Sequence, residues 1–299
     1  MAIYASKSMQ PRQQRKLAPV STLSFRKIVT TIASYGSLII LTIIFLLPFY
    51  LIVRNGLATD QEITSPNWTF FPKTLHFENI QELFNDPEVP FLSGVSNSAL
   101  ISVLQTVGQI LICALAGYGL ARIPYRWSNQ IFYAILITLM IPFSVIFVEV
   151  YLVVSYMGWL STLQGLVVPG VFSGFTAFLF RQFFLSFPRE LEEAGRVDGL
   201  GYWGVFWRIV VPNSYGIIAA LSVIAFINSW NAFLWPLVVG QDQSAWTVQV
   251  VLSNFLNAQV LNLHELFIGA ALAILPLVVI FFILQRYIVE GYKQSGLKG

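Results

Sequence analysis

The residue types most able to do chemistry are concentrated in one short segment, residues 188–199, which lies between two long apolar stretches. Its ionisable side chains are Arg189, Glu190, Glu192, Glu193, Arg196 and Asp198. Carboxylates and guanidinium groups form charge-assisted hydrogen bonds with a complementary surface. No nucleophile motif or phosphate-binding loop accompanies them, and the two histidines, His76 and His264, are far apart in sequence. The sequence therefore predicts a docking segment in a chain that is not an enzyme and binds no metal or cofactor itself.

The segment carries the signals of a short helix. Pro188 suits the first helical position, where its missing N–H costs no hydrogen bond, and the glutamates that follow lie where the helix dipole favours negative charge. Leu191, Ala194 and Val197 recur along one side. Gly199 can adopt the left-handed conformation that ends a helix. Because so short a helix is not stable alone, we expect it to rest on a partner surface.

The rest of the chain is too apolar for a soluble domain. Only 10% of the residues are charged, against about a quarter in soluble domains, and the mean hydropathy is +0.71. A membrane span needs about 20 apolar residues, so the chain has room for roughly six spans with their loops. The net charge of +3 comes from basic residues spread over loops, which is not a nucleic-acid-binding pattern. The single cysteine, Cys113, excludes an internal disulfide.

We predict an all-α membrane protein with six transmembrane helices and a short cytoplasmic helix between spans four and five. The membrane domain covers residues 28–289, and its spans are residues 28–53, 93–120, 128–154, 163–180, 212–238 and 266–289. The other segments are a cytoplasmic N-terminal tail at 1–27, an outer loop at 54–92, an inner loop at 181–211 and a cytoplasmic C-terminal tail at 290–299. A signal peptide is disfavoured, because the first apolar run is too long and no small-residue cleavage site follows it.

Basic residues are distributed asymmetrically about the predicted spans. Of the 17 Lys and Arg residues, all but Arg54 and Lys73 fall on one predicted side. Basic residues accumulate on the cytoplasmic side of membrane proteins. Both termini and the charged segment are therefore predicted to be cytoplasmic.

The charged segment resembles the EAA loop of ABC-importer permeases, whose pattern is EAA-x3-G-x9-I-x-L-P. Here Glu193-Ala-Gly195 is followed after three residues by Gly199, and after nine more by Ile209-Val-Val-Pro212. Gly195 and Val211 depart from the pattern. Further matches resemble carbohydrate permeases of the maltose type, in particular the shorter, C-terminal-type partner of a permease pair. They are Glu190–Ala194 with Asp198-Gly199, Trp230–Pro236, Ala273–Pro276, Gln285–Tyr287 and Lys298-Gly299, and the resemblance covers residues 28–299.

The resemblance implies a permease subunit of an ATP-driven importer, in a bacterial-type plasma (inner) membrane. The chain would form half of the path for a sugar, either an oligosaccharide or a related polyol or glycoside. The implied partners are a second homologous permease in a heterodimer, two ATPase subunits that bind ATP and Mg²⁺, an external sugar-binding protein and membrane lipid.

The resemblance also assigns a role to the short charged helix, as a coupling helix that docks on an ATPase subunit. Its implied contact residues are Glu190, Glu193, Ala194, Gly195, Asp198 and Gly199. Asp198 either contacts the ATPase directly or only caps the helix or pairs with Arg196. Because the family's C-terminal tail reaches the ATPases as well, Tyr292, Lys293 and Lys298 are further candidate contacts.

Polar residues inside the predicted spans are candidates for the substrate path. They are Asn228, Ser229, Trp230, Asn231, Glu149 and Gln105. The first four interrupt a span, and polar groups at membrane depth need a cavity or other protein around them. Amides beside an aromatic ring suit the hydroxyl edge and C–H face of a sugar, and packing between helices is the alternative. Glu149 either meets the substrate or a gate, or is structural or reaches water.

Two other functions stay open. An ABC permease for a non-sugar solute would keep the mechanism and change the cargo. An ion-coupled secondary transporter would be expected to have an acid deep in the membrane or an internal repeat. The chain has only Glu149, near the end of a span, and no clear repeat, so this alternative is disfavoured.

Overall fold

The computed structural model describes residues 25–87, 89–257 and 262–295, with side chains from residue 29 to 285 apart from 88 and 256–261. All regular structure within these ranges is helical, which confirms the predicted all-α class. In chain order the α-helices are α1 (Phe25–Gly56), α2 (Asp60–Thr64), α3 (Glu78–Asn85), α4 (Phe91–Arg122), α5 (Ser128–Thr138), α6 (Phe143–Tyr156), α7 (Leu163–Val167), α8 (Gly174–Ser186), α9 (Arg189–Val197), α10 (Tyr202–Val205), α11 (Tyr215–Trp230), α12 (Leu234–Val239), α13 (Val248–Asn257) and α14 (Leu263–Ser295).

Three helices are each long and apolar enough to cross a membrane. They are α1 from Val29 to Gly56, α4 over its whole length and α14 from Leu263 to Gln285. Three further candidates are bent pairs: α5 with α6, α7 with α8, and the segment Tyr202–Asn213 with α11, bent by 98°, 43° and 80° respectively. The predicted number of six spans is reached when each bent pair is counted as one.

The bends lie at residues that disfavour continuous helix. Pro142, between α5 and α6, has an extended ψ of 138°, and a proline also disfavours helical backbone at the residue before it. Ser173 starts α8 by accepting a hydrogen bond from the Thr176 backbone N–H at 3.2 Å, as N-cap serines do. A separate break, which is not one of the three bends, lies where α11 ends at Trp230 and α12 begins at Leu234. The chain therefore has a helix end inside the fifth predicted span.

The chain divides into two compact units, residues 1–50 and residues 51–299. The described part of the first unit is the apolar N-terminal stretch of α1. In the second unit α4 packs against α8, α11 and α13. A Cβ atom built on Gly117 would lie 2.6 Å from the Phe180 Cβ atom and 2.8 Å from the Arg181 backbone nitrogen. A glycine is therefore needed where α4 and α8 approach, as at other close helix contacts in membrane proteins.

Candidate functional site

The charged segment folds as the helix α9, which covers nine residues, Arg189–Val197. Pro188 lies just before the first helical residue, with a ψ of 124°, one position earlier than the sequence predicts. Gly199 has a φ of +83°, so it adopts the left-handed conformation expected at this helix end. The Asp198 backbone N–H donates to the Ala194 carbonyl at 3.1 Å. Residues 188–199 thus form one short charged helix of about two and a half turns, which ends at the left-handed Gly199.

The inner face of α9, formed by Glu192 and Gly195, is buried against the chain itself. A Glu192 carboxylate oxygen lies 3.1 Å from the Arg122 Nε atom, and both side chains are only 5% exposed. The Tyr118 hydroxyl lies 3.4 Å from the other carboxylate oxygen. Arg122 also donates to the carbonyl of Phe187. Removing one partner of such a buried pair leaves an uncompensated charge and costs about 3–5 kcal/mol, so the pair fixes α9 to the end of α4.

Gly195 completes this inner face. A Cβ atom built on Gly195 would lie 2.3 Å from the Ile209 Cδ1 atom. Gly195 was expected among the residues that contact a partner, but it lies on the buried side of the helix. The small residue is thus explained by close approach to Ile209 of the same chain.

The outer face of α9 points away from the rest of the chain. Its residues are Glu190, Leu191, Glu193, Ala194 and Val197, and all five are exposed. Val197 is 88% exposed and Leu191 is 44% exposed. Three apolar side chains beside two carboxylates are an unusual solvent-facing surface for a nine-residue helix. Such a surface suits contact with another protein.

Basic residues flank the outer face. The Arg196 guanidinium lies 4.5 Å from the centre of the Tyr202 ring, in a cation–π contact. Together with Arg122, Arg189, Glu192 and Glu193, these two residues line a cleft of about 270 Å³. The cleft offers both signs of charge to an approaching partner.

Replacing Gly195 tests whether α9 is held in its position by close contact. Gly195→Leu is expected to lower the melting temperature of the purified chain, since overpacking costs about 1–3 kcal/mol. Gly195→Ala is expected to have little effect, because only the tip of Ile209 must move and alanine favours helix by up to about 1 kcal/mol over glycine.

The substitution Gly201→Leu is the matched control, because a Cβ atom built on Gly201 has no neighbour within 4 Å. Shortening the opposing side chain in the double variant Gly195→Leu with Ile209→Ala should recover part of the lost stability. Equal destabilisation by Gly195→Leu and Gly201→Leu would contradict the proposed contact.

Trp230 belongs to the hydrophobic core of the second unit. It is 1% exposed, stacks on Phe226 with ring centres 5.8 Å apart and donates from Nε1 to the Ala273 carbonyl at 3.0 Å. This arrangement corresponds to packing between helices, the alternative to sugar binding. The ring is not available as a stacking surface for a sugar in this conformation.

The two asparagines near Trp230 are accessible, unlike the tryptophan itself. Asn228 and Asn231 are exposed, while Ser229 is half-buried. The Asn231 side-chain oxygen accepts a hydrogen bond from the Gln249 Nε2 atom at 3.3 Å. Amide groups from α11 and α13 therefore meet at the exposed end of α11.

The two remaining candidates for the substrate path lie apart from these amides. Gln105 donates to the Leu166 carbonyl at 2.8 Å and lies against Gly170, so it joins α4 to the α7 segment. Glu149 is exposed on α6. Gln105 thus has a packing role, and Glu149 is accessible to a partner or to water.

The C-terminal candidates fall at the limit of the described residues. The backbone of Tyr292 and Lys293 continues α14 as far as Ser295. The side chains of these two residues, and the whole of Lys298, lie outside the described residues.

The functional residues expected from the sequence did not include Arg122, Tyr118 or Glu192. The available signal was an arginine at the end of an apolar span, with a tyrosine one helical turn before it. Nothing in the sequence distinguishes Glu192 from its neighbour Glu193, because the choice depends on which side of α9 faces α4.

Comparison with known proteins places the chain among membrane transport components. A family model described as "Binding-protein-dependent transport system inner membrane component" matches residues 109–294, more than half of the chain. The match includes the whole of α9 and the Arg122 end of α4.

Curated relatives of similar length carry the names of transport permeases. The arabinooligosaccharides transport system permease protein AraQ of Bacillus subtilis is 31% identical, over 87% of this chain and 92% of the relative. The lactose transport system permease protein LacG of Rhizobium radiobacter is 33% identical, over 91% and 98%. The sn-glycerol-3-phosphate transport system permease protein UgpE of Yersinia pestis is 31% identical, over 86% and 94%.

A solved structure has the same fold. It is a chain of a bacterial ABC transporter involved in the import of the acidic polysaccharide alginate. The TM-score is 0.77, and the match covers 88% of this chain and 98% of that chain at 19% sequence identity. At this identity the likeness concerns the fold alone.

Proposed function

The chain belongs to the family of inner membrane components of binding-protein-dependent transport systems, and from this membership we propose that it forms one half of the translocation path of an ATP-driven importer. It is a transport subunit and not an enzyme. The other half of the path would come from a second, homologous permease in a heterodimer. ATP and Mg²⁺ would be bound by two separate ATPase subunits.

The proposed cargo is a sugar or a closely related polyol or glycoside. The support comes from relatives named for arabinooligosaccharide and lactose transport. The relative named for sn-glycerol-3-phosphate transport keeps a non-sugar solute as the second candidate. Uptake of radiolabelled oligosaccharides, lactose and glycerol-3-phosphate by cells that express the whole transporter would distinguish these cargoes.

The observation that carries the proposed mechanism is the two-sided character of α9. Its inner face is fixed by the buried pair of Glu192 and Arg122, whereas its outer face exposes Val197 and Leu191. We place the outer face against an ATPase subunit in the cytoplasm, with both termini of the chain on the same side, as the basic residues favour.

Movement of the ATPase would then reach the membrane by two routes. The first runs from Glu192 through Arg122 into α4. The second runs from Gly195 to Ile209, which lies in the π-helical turn Phe206–Val210 ahead of α11. Because α11 carries Asn228 and Asn231 at its far end, a shift of α9 would be transmitted to the proposed substrate path.

Asn228, Asn231 and Gln249 are the proposed polar contacts of that path. Asn231→Leu is expected to weaken uptake of the cargo by about 5- to 100-fold. A polar group of the bound cargo that is shielded from water would lose its hydrogen bond, which costs about 1–3 kcal/mol, and 1.4 kcal/mol corresponds to tenfold. The measurement is the concentration dependence of uptake in membrane vesicles.

The neighbouring substitution Ile227→Leu keeps the exposed surface of α11 apolar and serves as the control. Its uptake should equal that of the unmodified chain. Unchanged uptake in Asn231→Leu as well would assign this asparagine to packing.

Reconstitution tests the proposed function as a whole. Vesicles that contain the chain, its partner permease and the ATPase subunits should accumulate cargo only with ATP and the external binding protein. Uptake driven by an ion gradient without ATP would support the secondary-transporter alternative instead.

A further inference from the structure

A second group of ionisable side chains lies at the end of the membrane unit where α14 begins. His264 there contacts acids from two other helices. Its Nδ1 atom lies 2.8 Å from an Asp60 carboxylate oxygen of α2, and its Nε2 atom lies 3.3 Å from a Glu82 carboxylate oxygen of α3. Glu265, the next residue of α14, brings a carboxylate oxygen to 4.0 Å from the same Nε2 atom.

Asp60 fixes the orientation of the imidazole ring. The same Asp60 oxygen that contacts Nδ1 also accepts the His264 backbone N–H at 2.9 Å. With the Nδ1 proton donated to Asp60, a neutral ring directs the lone pair of Nε2 toward Glu82 and Glu265. Histidines that bind metals are commonly held in this way, by a carboxylate on the other ring nitrogen. A lone pair facing two carboxylates is unfavourable unless Nε2 carries a proton or a cation lies between the groups.

Glu265 adds a buried acid to this group. It is only 6% exposed, and one oxygen accepts a hydrogen bond from the Asn262 Nδ2 atom at 3.3 Å. Its other oxygen, Oε2, is buried as well. The neighbouring Asp86 carboxyl shares a side-chain hydrogen bond with Glu265 and also adds a like charge, so the two acids need a shared proton or a cation between them. A buried carboxylate is costly unless it is paired or coordinates a metal.

We propose that Glu82, His264 and Glu265 bind a divalent transition-metal ion of the zinc type, with Asp60 orienting the histidine. One ligand atom from each of these three residues lies within 4.8 Å of the other two. Zinc takes histidine nitrogen and carboxylate oxygen at about 2.0–2.2 Å, which puts neighbouring ligand atoms roughly 3.3–3.5 Å apart in a tetrahedron. The separation of Glu82 from His264 already fits, and small side-chain rotations bring Glu265 into place.

The ion would tie the outer loop to the last span. Glu82 belongs to α3, Asp60 to α2, and His264 and Glu265 to the first turn of α14. α14 is far from α2 and α3 in sequence, so a shared ion would hold it to them as a cross-link does. No metal site was expected from the sequence, because the two histidines are far apart in it. The acids that His264 meets in the structure are also remote from it, Asp60 by 204 residues and Glu82 by 182.

The other histidine provides a matched control. His76 Nδ1 lies 2.6 Å from a Glu78 carboxylate oxygen, and Glu78 is 59% exposed. A backbone hydrogen bond and the contact with His76 lower the pKa of Glu78, so this carboxylate is stable as an ordinary surface ion. The His76 Nε2 atom faces the Thr74 hydroxyl at 3.1 Å. This pair has one carboxylate and a hydroxyl where the proposed site has several carboxylates.

The test is titration of the purified, chelator-treated transporter with Zn²⁺ alone, using competition with a chromophoric zinc indicator. We expect one Zn²⁺ per copy of this chain that is lost in Glu82→Gln and His264→Gln, and unchanged in His76→Gln. Asp60→Asn should weaken binding by roughly 10- to 100-fold, as other losses of orienting partners do. Because Glu82 is 55% exposed, its substitution should leave the fold intact.

Thermal unfolding provides the second readout. Zn²⁺ should raise the melting temperature of the unmodified transporter and of His76→Gln, and should leave that of Glu82→Gln unchanged. The proposal is overturned if Zn²⁺ does not bind, or if it binds equally to the unmodified protein and to Glu82→Gln. In that case a protonated His264 shared between Asp60 and Glu82 accounts for the cluster.

Discussion

Arg122→Ala is expected to abolish ATP-driven uptake while the chain still inserts into the membrane. The substitution leaves the Glu192 carboxylate buried without its cationic partner, at a cost of about 3–5 kcal/mol. At 1.4 kcal/mol per factor of ten, the position of α9 against α4 would be weakened by roughly a hundredfold or more. Hydrogen exchange of α9 should rise in parallel with the loss of uptake in reconstituted vesicles.

Two variants make this result specific. Arg126 is exposed four residues further along, so Arg126→Ala removes an equal charge from the same loop and should retain uptake. The double variant Arg122→Met with Glu192→Met should recover part of the lost activity, because well-packed apolar residues often replace a buried ion pair without loss of stability. Normal uptake in Arg122→Ala would show that the pair does not hold α9 in its functional position.

Glu193→Lys is expected to uncouple ATP hydrolysis from uptake. Glu193 lies on the outer face of α9 and is exposed, so reversal of its charge should not disturb the fold of this chain. At a docked interface a like charge or an unpaired buried charge costs several kcal/mol, enough to lower occupancy by the ATPase at least about tenfold. Hydrolysis and uptake measured on the same vesicles should lose their proportionality.

The same charge reversal at Glu78, on the outer loop, is the control for a general effect of charge. It should leave the ratio of uptake to hydrolysis unchanged. A normal ratio in Glu193→Lys would refute the docking role of this residue.

The sequence was sufficient to predict the helix α9, its left-handed end at Gly199 and the all-α class. These features depend on local signals, such as a proline at the start, glutamates in the first turn and long apolar runs. The orientation of α9 could not be predicted, because it depends on tertiary contacts. Leu191, Ala194 and Val197 form a stripe that would ordinarily face the core. Here it is exposed, and the buried positions are Glu192 and Gly195.

The residues proposed for the substrate path also depend on tertiary contacts that the sequence does not reveal. An aromatic residue between two asparagines suits a sugar site as well as a helix contact. Trp230 is buried because it packs with side chains that include Phe226 and Ala273, which the local sequence does not indicate. Residues that meet from distant parts of the chain, as His264 and Asp60 do, carry no spacing signal. The bent helix pairs can be predicted in part. Pro142 marks the position of one bend in the sequence, but its angle of 98° depends on the packing of the helices.

The proposed mechanism requires contact between the outer face of α9 and an ATPase subunit. The most direct test replaces Val197, which is 88% exposed, with the photo-reactive residue p-benzoylphenylalanine, and identifies the cross-linked partner in native membranes by mass spectrometry. As a control, p-benzoylphenylalanine replaces Phe71, which is 71% exposed on the outer loop. We predict a cross-link to an ATPase subunit from position 197 and none from position 71. Cross-links from position 197 to lipid or to this chain alone, in a transporter that still imports its cargo, would contradict the proposed contact.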